Sequence, residues 1–205
     1  MKLVVTEKND AAQKIADLLG VKKPKADKVY STPVYRFDVD GEEWVTIGLR
    51  GHILEPDFTP AMVYKKRGGW QGVTEEGETF PADLPDTLAK PPFKKKKPFT
   101  EDGVELKAWK MDALPYLVYA PIKKLPKEKE IIRSLKNLAK KADSVIIATD
   151  FDREGELIGS DALSCCREVN ATAPVSRARY SAFTKPEITH AFANLVPMDD
   201  DLAAA

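Results

Sequence analysis

The sequence predicts an α/β fold in which a parallel sheet carries helices on both faces. Two short segments, Lys2–Thr6 and Ser144–Thr149, have continuous β-branched apolar centres, a pattern typical of strands buried on both sides. Each is followed by a polar turn and then by an amphipathic helix. This alternation of strands and helices favours a parallel sheet.

The N-terminal part begins with this strand, turn and helix. The helix is predicted over Ala11–Leu19, where apolar residues recur on one face, and Gly20 ends it. Val34–Val39 and Trp44–Ile47 then flank Asp40-Gly41, which predicts a β-hairpin.

A glycine-bounded loop, Gly48–His52, leads into a stretch with little periodicity. Pro56–Pro98 holds seven of the fifteen prolines and is interpreted as an extended surface segment with a short hairpin or two. The basic run Lys94–Lys97, beside Phe93 and Phe99, has the composition of a single-strand-binding loop, and a solvated charged loop is the alternative.

Regular patterns return in the second half. Apolar residues recur at helical spacing in three segments, and short apolar runs predict the strands between them. In chain order the predicted elements are a strand at 116–119, a helix at 127–141, the strand at 144–149, a helix at 153–166, an extended segment at 177–182 and a helix at 185–195.

Composition excludes several classes of protein. The 205 residues carry 32 basic and 32 acidic side chains, so the chain is not a simple polycationic nucleic-acid binder. No apolar run is long enough to span a membrane, and the N-terminus lacks the pattern of a secretory signal. The two cysteines, Cys165 and Cys166, are adjacent and suit neither a disulfide framework nor a closed zinc site. We therefore expect a soluble protein in a reducing, cytoplasmic compartment.

Acidic residues follow both buried strands. Glu7 comes after the first, and Asp150, Asp152 and Glu154 come after the later one. Ligands of open α/β sheets bind at the carboxyl ends of the strands, so neighbouring strands would bring these acids together. Clustered carboxylates repel one another unless a cation or a proton intervenes, and Mg²⁺ prefers oxygen ligands. The alternative is that the acids only cap the helix, for which Asp152 is well placed.

Four motifs, in this order, resemble those of type IA DNA topoisomerases. The run ATDFDREGELIG at 148–159 resembles the Toprim signature in the version that these enzymes carry. VVTEKNDAAQKIADLL at 4–19 resembles their opening strand, turn and helix, and GHILE at 51–55 their Gly-His-Leu-type loop. RARYSAFTKPEITHAFANL at 177–195 resembles the exit from Toprim into the next domain. The middle, about 56–111, matches no motif.

The resemblance implies a Toprim, Rossmann-like fold and a division of the chain. Residues 1–170 would form the Toprim domain, with 56–111 as an irregular Pro/Lys-rich insertion. Residues 171–205 would begin the next domain of a longer protein.

In that family a tyrosine attacks a DNA phosphodiester, and Toprim supplies acids and metal. The resemblance implies that Glu7 is the catalytic glutamate near the scissile phosphate, acting as general acid/base or metal ligand, with a solvated turn glutamate as the alternative. It implies that Asp150, Asp152 and Glu154 bind Mg²⁺ as cofactor.

Five basic residues are candidates for DNA contact. Lys8 would approach the phosphate backbone at a helix N-terminus. Arg177 and Arg179 lie at the exit segment, which in the family runs near single-stranded DNA. His52 and Arg153 have structural alternatives, a hydrogen bond to a carbonyl for the histidine and an ion pair with the carboxylates for the arginine.

None of the six tyrosines lies in a stretch that resembles the family's nucleophile motif. We therefore expect single-stranded DNA and the remaining domains of the parent chain as partners, and no DNA cleavage by this chain alone.

Three alternative functions remain open on the residues alone. A different Toprim protein, a primase or an OLD-type nuclease, shares the acids. A haloacid-dehalogenase-like phosphatase also has Asp-x-Asp after a strand, but follows it with Gly-Thr where this chain has Arg153-Glu154. A non-catalytic interaction module would use its acids as helix caps.

Overall fold

The computed structural model describes residues 1–58, 61–66, 69–74, 77, 79–82, 104–105 and 122–199. The chain divides into two compact units, one formed by Met1–Leu54 with Pro126–Ala205 and the other by Glu55–Leu125. The strands are β1 (Lys2–Thr6), β2 (Lys25–Val29), β3 (Thr32–Val39), β4 (Glu42–Gly48), β5 (Leu54–Phe58), β6 (Ala61–Lys66), β7 (Gly69–Thr74), β8 (Thr79–Ala82), β9 (Val104–Glu105), β10 (Ile122–Pro126), β11 (Ser144–Ile147) and β12 (Val175–Arg177). The helices are α1 (Asn9–Leu19), α2 (Lys129–Ala139), α3 (Arg153–Arg167) and α4 (Lys185–Ala193).

The first unit is built on a sheet with the order β12-β11-β1-β4-β3-β2. The pairs β12–β11, β11–β1 and β1–β4 are parallel, whereas β3 and β2 add to the sheet antiparallel. The α/β prediction is confirmed, and the sheet is mixed rather than purely parallel because β3 and β4 form the predicted hairpin. Strand β2 was not predicted.

Helices cover both faces of this sheet. Alternate residues of β1 belong to different apolar clusters, with Leu3 and Val5 in one and Val4 in the other. Residues of α2 and α3 complete the first cluster, and residues of α1 and α4 complete the second. All three β1 side chains are fully buried, as their continuous apolar pattern predicted.

The predicted domain boundary after residue 170 falls inside the first unit. Strand β12 continues the sheet beside β11, and Ile188 of α4 is fully buried in the same core as α1. The prediction that 171–205 begins another domain is therefore not matched by a boundary at this position.

The second unit contains strands where an irregular segment was predicted for 56–111. Strands β8, β7, β6 and β9 form an antiparallel sheet, and β6 and β7 make one of the expected hairpins. Strands β5 and β10 form a two-stranded sheet. The predicted strand at 116–119 and the basic run Lys94–Lys97 lie outside the described residues.

In the described part of the chain, none of the helices is long and apolar enough to span a membrane.

Candidate functional site

Glu7 lies in the turn that joins β1 to α1. This turn is held by a hydrogen bond of its own and by contacts with the segment that follows β4. The hydroxyl of Thr6 donates to the Lys8 carbonyl at 2.9 Å, and the Gly51 amide donates to the Glu7 carbonyl at 3.0 Å. Gly48, at the end of β4, has no room for a side chain, since a Cβ there would lie 2.4 Å from the Asn9 nitrogen. The loop at 48–52 therefore packs directly against the Glu7 turn.

The turn from β11 to α3 carries the other acids. Asp152 is the N-cap of α3, and its Oδ1 accepts from the Gly155 amide at 2.7 Å. The capping interpretation therefore holds for Asp152, and no hydrogen bond with the described residues uses its second carboxylate oxygen. A Cβ on Gly155 would lie 2.1 Å from the Asp150 carbonyl oxygen, so the first turn of α3 packs directly on the Asp150 backbone.

These two turns emerge at the same edge of the sheet. Strands β1 and β11 are parallel neighbours, with Val5 paired to Ile147. Partial burial raises the pKa of Asp150, and the negative charge of Glu7 raises it further, while Lys8 opposes the shift. The shared edge thus brings the negative charge of Glu7 near Asp150.

Lys8 places a cationic group among these acids, and His52 places an imidazole beside them. The Lys8 ammonium lies 2.8 Å from a carboxylate oxygen of Glu7. This hydrogen bond, with the charges of Glu7 and Asp150, raises the pKa of Lys8. His52 Nε2 lies 3.6 Å from Glu154 Oε1. The edge thus combines oxygen donors with groups that can bind an anion.

The acids suit a hard divalent cation, but they do not supply a complete set of ligands for it. Among the described residues, no three His, Cys, Asp or Glu side chains form a group that could hold a metal ion. Mg²⁺ typically takes one or two carboxylates and completes its coordination with water and phosphate oxygens. The donor set at this edge fits such a shared site, because Asp150, whose pKa is raised in part by the charges of Glu7 and Asp152, would gain from a neighbouring cation.

Arg177, predicted to contact DNA, is instead fully buried. Its Nε donates to Glu156 at 2.7 Å, Nη1 donates to the Thr149 carbonyl at 2.8 Å, and Nη2 donates to the Asp150 carbonyl at 2.8 Å. Glu156 is also fully buried, and its other oxygen accepts from the Asp199 amide at 2.8 Å. Because the guanidinium has no exposed surface, direct DNA contact is excluded in this structure, and Arg177 positions the Asp150 turn.

Arg153 and Arg179 remain candidates for DNA contact. Arg153 is exposed, and no ion pair of its guanidinium occurs with the side chains of the described residues, so the ion pair suggested as its alternative is not seen there. Arg179 is partly exposed, donates to Asp199 at 3.2 Å and lies over the ring of Phe151.

The raised pKa of Asp150 predicts a pH-dependent stability in metal-free protein. The folded chain binds this proton more tightly than the unfolded chain, so the free energy of unfolding falls as the pH rises from about 4 through the folded pKa. Asp150→Asn should remove this fall. Denaturant unfolding between pH 4 and pH 7 measures it.

Asp27→Asn is a control, because the pKa of Asp27 is shifted in the opposite direction. Arg36 lowers the pKa of Asp27, so Asp27 stabilises the fold above its unfolded pKa and loses this contribution as the pH falls. If the free energy of unfolding changes with pH in the same way for the wild type and Asp150→Asn, the raised pKa of Asp150 is contradicted.

Comparison with known proteins gives consistent matches. The Toprim domain family model matches residues 2–183. DNA topoisomerase 1 of Archaeoglobus fulgidus is 35% identical over 207 residues, covering 99% of this chain and 24% of that protein. DNA topoisomerase 1 of Thermoplasma acidophilum is 29% identical over 204 residues, covering 100% of this chain and 20% of that protein. DNA topoisomerase 1 of Methanocaldococcus jannaschii is 31% identical over 204 residues, with coverage of 99% and 20%. The chain thus spans about a fifth to a quarter of the length of these relatives.

Proposed function

The chain belongs to the Toprim domain family, and from this premise we propose that it supplies the acid and metal part of a type IA DNA topoisomerase. The observation that carries the proposal is the parallel pairing of β1 with β11, which brings the Glu7 turn and the Asp150 turn to one edge of the sheet. The names of the relatives support topoisomerase over primase or nuclease. The phosphatase alternative needs its acid pair after the first strand, whereas here the pair follows β11.

In this proposal the acids on the β11–α3 turn hold the cation. Its oxygen donors would come from Asp150, from the Asp152 oxygen that does not cap α3 and from the exposed Glu154, one or two at a time, with water and phosphate oxygens completing the coordination. A bound divalent cation offsets the negative charge of the phosphate oxygens.

The β1–α1 turn handles the proton and the phosphate. Glu7 donates the proton that the leaving sugar oxygen requires, and takes it back during religation. Lys8 already lies at hydrogen-bond distance from Glu7 and is mostly exposed, so its ammonium is free to turn toward a phosphate oxygen.

The nucleophile is proposed to lie outside these residues. The buried hydroxyl of Tyr180 donates to the Ala148 carbonyl at 2.7 Å, and burial raises the pKa of this phenol. It is therefore a poor nucleophile despite its position near Asp150. We propose that this chain alone binds metal and single-stranded DNA but does not cleave DNA.

Metal titration tests the proposal. Asp150→Asn with Asp152→Asn should abolish Mg²⁺ binding, because both changes remove charged oxygen donors from the edge. The fold should persist, since Asn is as good an N-cap as Asp. Calorimetry with MgCl₂ measures the binding, and amide chemical shifts at Gly155 locate it.

The matched control removes the same charge elsewhere. Asp17→Asn with Asp40→Asn changes two exposed acids away from the Glu7 and Asp150 turns. This pair should leave Mg²⁺ affinity unchanged. Unchanged affinity in the Asp150/Asp152 pair would overturn the ligand assignment.

A further inference from the structure

Phe151 stands exposed in the centre of the acidic turn. It lies between Asp150 and Asp152, and 51% of its surface is exposed. Its neighbours in the turn are fixed on both sides, by the Arg177 hydrogen bond to the Asp150 carbonyl and by the Asp152 cap on α3. A large apolar ring is thus held in solvent at the proposed reaction edge, where it contributes little to the core.

An arginine already lies against this ring. The guanidinium carbon of Arg179 is 4.7 Å from the ring centroid of Phe151, the geometry of a cation–π pair. Asp199 holds this guanidinium from another side through Nη2 at 3.2 Å. Arg179 Nε is buried and has no hydrogen-bond partner among the described residues. The contacts with Phe151 and Asp199 therefore order the pair before any DNA is bound.

We propose that Phe151 and Arg179 form a stacking platform for one unpaired base of single-stranded DNA. This inference rests on the proposed function and adds the group that holds the strand beside the acids. Aromatic rings and guanidinium planes are the surfaces on which proteins stack splayed bases.

Charge explains why a stacking contact is needed at this place. The carboxylates of Glu7, Asp150, Asp152 and Glu154 repel a DNA backbone until a cation is bound. A base is uncharged and every base has a π-face, so stacking on Phe151 attracts the strand without a charge and without sequence preference. The Arg179 guanidinium adds a positive charge next to the same ring.

The test uses the full 205-residue chain and short single-stranded DNA oligomers with 2-aminopurine at one position at a time. At the platform position, stacking on Phe151 should change the 2-aminopurine fluorescence. Phe151→Ala should remove this change and weaken binding about 5-fold to 100-fold, the range for one stacked base. The salt dependence of binding should stay the same, because no phosphate contact is lost. Phe151→Trp should retain both signals.

Tyr30→Ala is the matched control. Tyr30 is 49% exposed and has Arg133 at 4.0 Å from its ring, but it follows β2, four strand positions from β11. It should bind like the wild type. An equal loss of affinity for single-stranded DNA in Tyr30→Ala and Phe151→Ala would overturn the stacking platform. Wild-type affinity of Phe151→Ala for the same DNA would also overturn it.

Two further outcomes separate this inference from the proposed function. If Phe151→Ala also loses Mg²⁺ affinity, the ring shapes the turn and does not stack a base. If the wild-type chain binds no single-stranded DNA at all, both the platform and the proposed DNA-binding role fail.

Discussion

Arg177→Ala should lower the free energy of unfolding by about 3–5 kcal/mol, the loss expected when one partner of a buried ion pair is removed. The substitution leaves the fully buried Glu156 carboxylate without its cation, and it leaves the Thr149 and Asp150 carbonyls without their donors. Since domains are stable by about 5–15 kcal/mol, this is a large share of the total. Urea unfolding monitored by circular dichroism measures the loss.

Arg36→Ala is the comparison at the surface. Arg36 pairs with Asp27 and Glu43 in partly exposed positions, so its removal should change stability by less than about 1 kcal/mol. In the double variant Glu156→Ala with Arg177→Ala, the loss should be smaller than the sum of the single losses, because neither charge is left unpaired. Equal effects of Arg177→Ala and Arg36→Ala would contradict the buried pair.

Gly155→Ala should destabilise the protein by about 1–3 kcal/mol or more and weaken Mg²⁺ binding at the same time. The new Cβ meets the Asp150 carbonyl oxygen at 2.1 Å, and this backbone atom cannot rotate away as a side chain would. Either α3 or the Asp150 turn must shift, which moves the proposed ligands. Thermal unfolding and Mg²⁺ calorimetry on the same sample measure both effects.

Gly159→Ala, one helical turn later, distinguishes the steric effect of the new Cβ from the gain in helix propensity. At Gly159 the nearest atom to a new Cβ is the Cγ2 methyl carbon of Ile147 at 2.6 Å, which belongs to a side chain and not to the backbone. Both substitutions gain about the same helix propensity, close to 1 kcal/mol. Gly159→Ala should therefore be the milder change and should keep Mg²⁺ affinity. A Gly155→Ala protein as stable as Gly159→Ala would contradict the close packing.

Elements with a strong apolar pattern were predictable, and the acidic edge followed from them. The residues of β1 are buried on both faces and gave a continuous pattern, as did those of β11. Because strand ends fix where the next residues emerge, the sequence alone predicts Glu7 and Asp150 at one edge of the sheet if their strands are neighbours. Strand β2 (KADKV) is exposed along most of its length, so it carried no apolar signal.

The role of Arg177 could not be read from its local sequence. Arg177 and Arg179 were both candidates for DNA contact, but Arg177 ends β12, where it is paired with Ile147 of β11 and fully buried, and Arg179 lies beyond the strand. The position of Glu156 in the sequence was the one indication that a buried cationic partner is needed. Glu156 lies three residues before Gly159 and six before Ala162 on the buried side of α3, and a buried carboxylate requires a cationic partner.

The sheet order has a consequence for how this protein reaches its native state. Strand β1 precedes the other strands of its sheet along the chain, yet one of its two neighbours, β11, follows roughly 140 residues later. Pairing between such distant segments is slow, because loop closure must precede any gain from contact. During translation one side of β1 stays an open strand edge until the ribosome has delivered β11. The proposed reaction centre is thus among the last parts of this chain to mature.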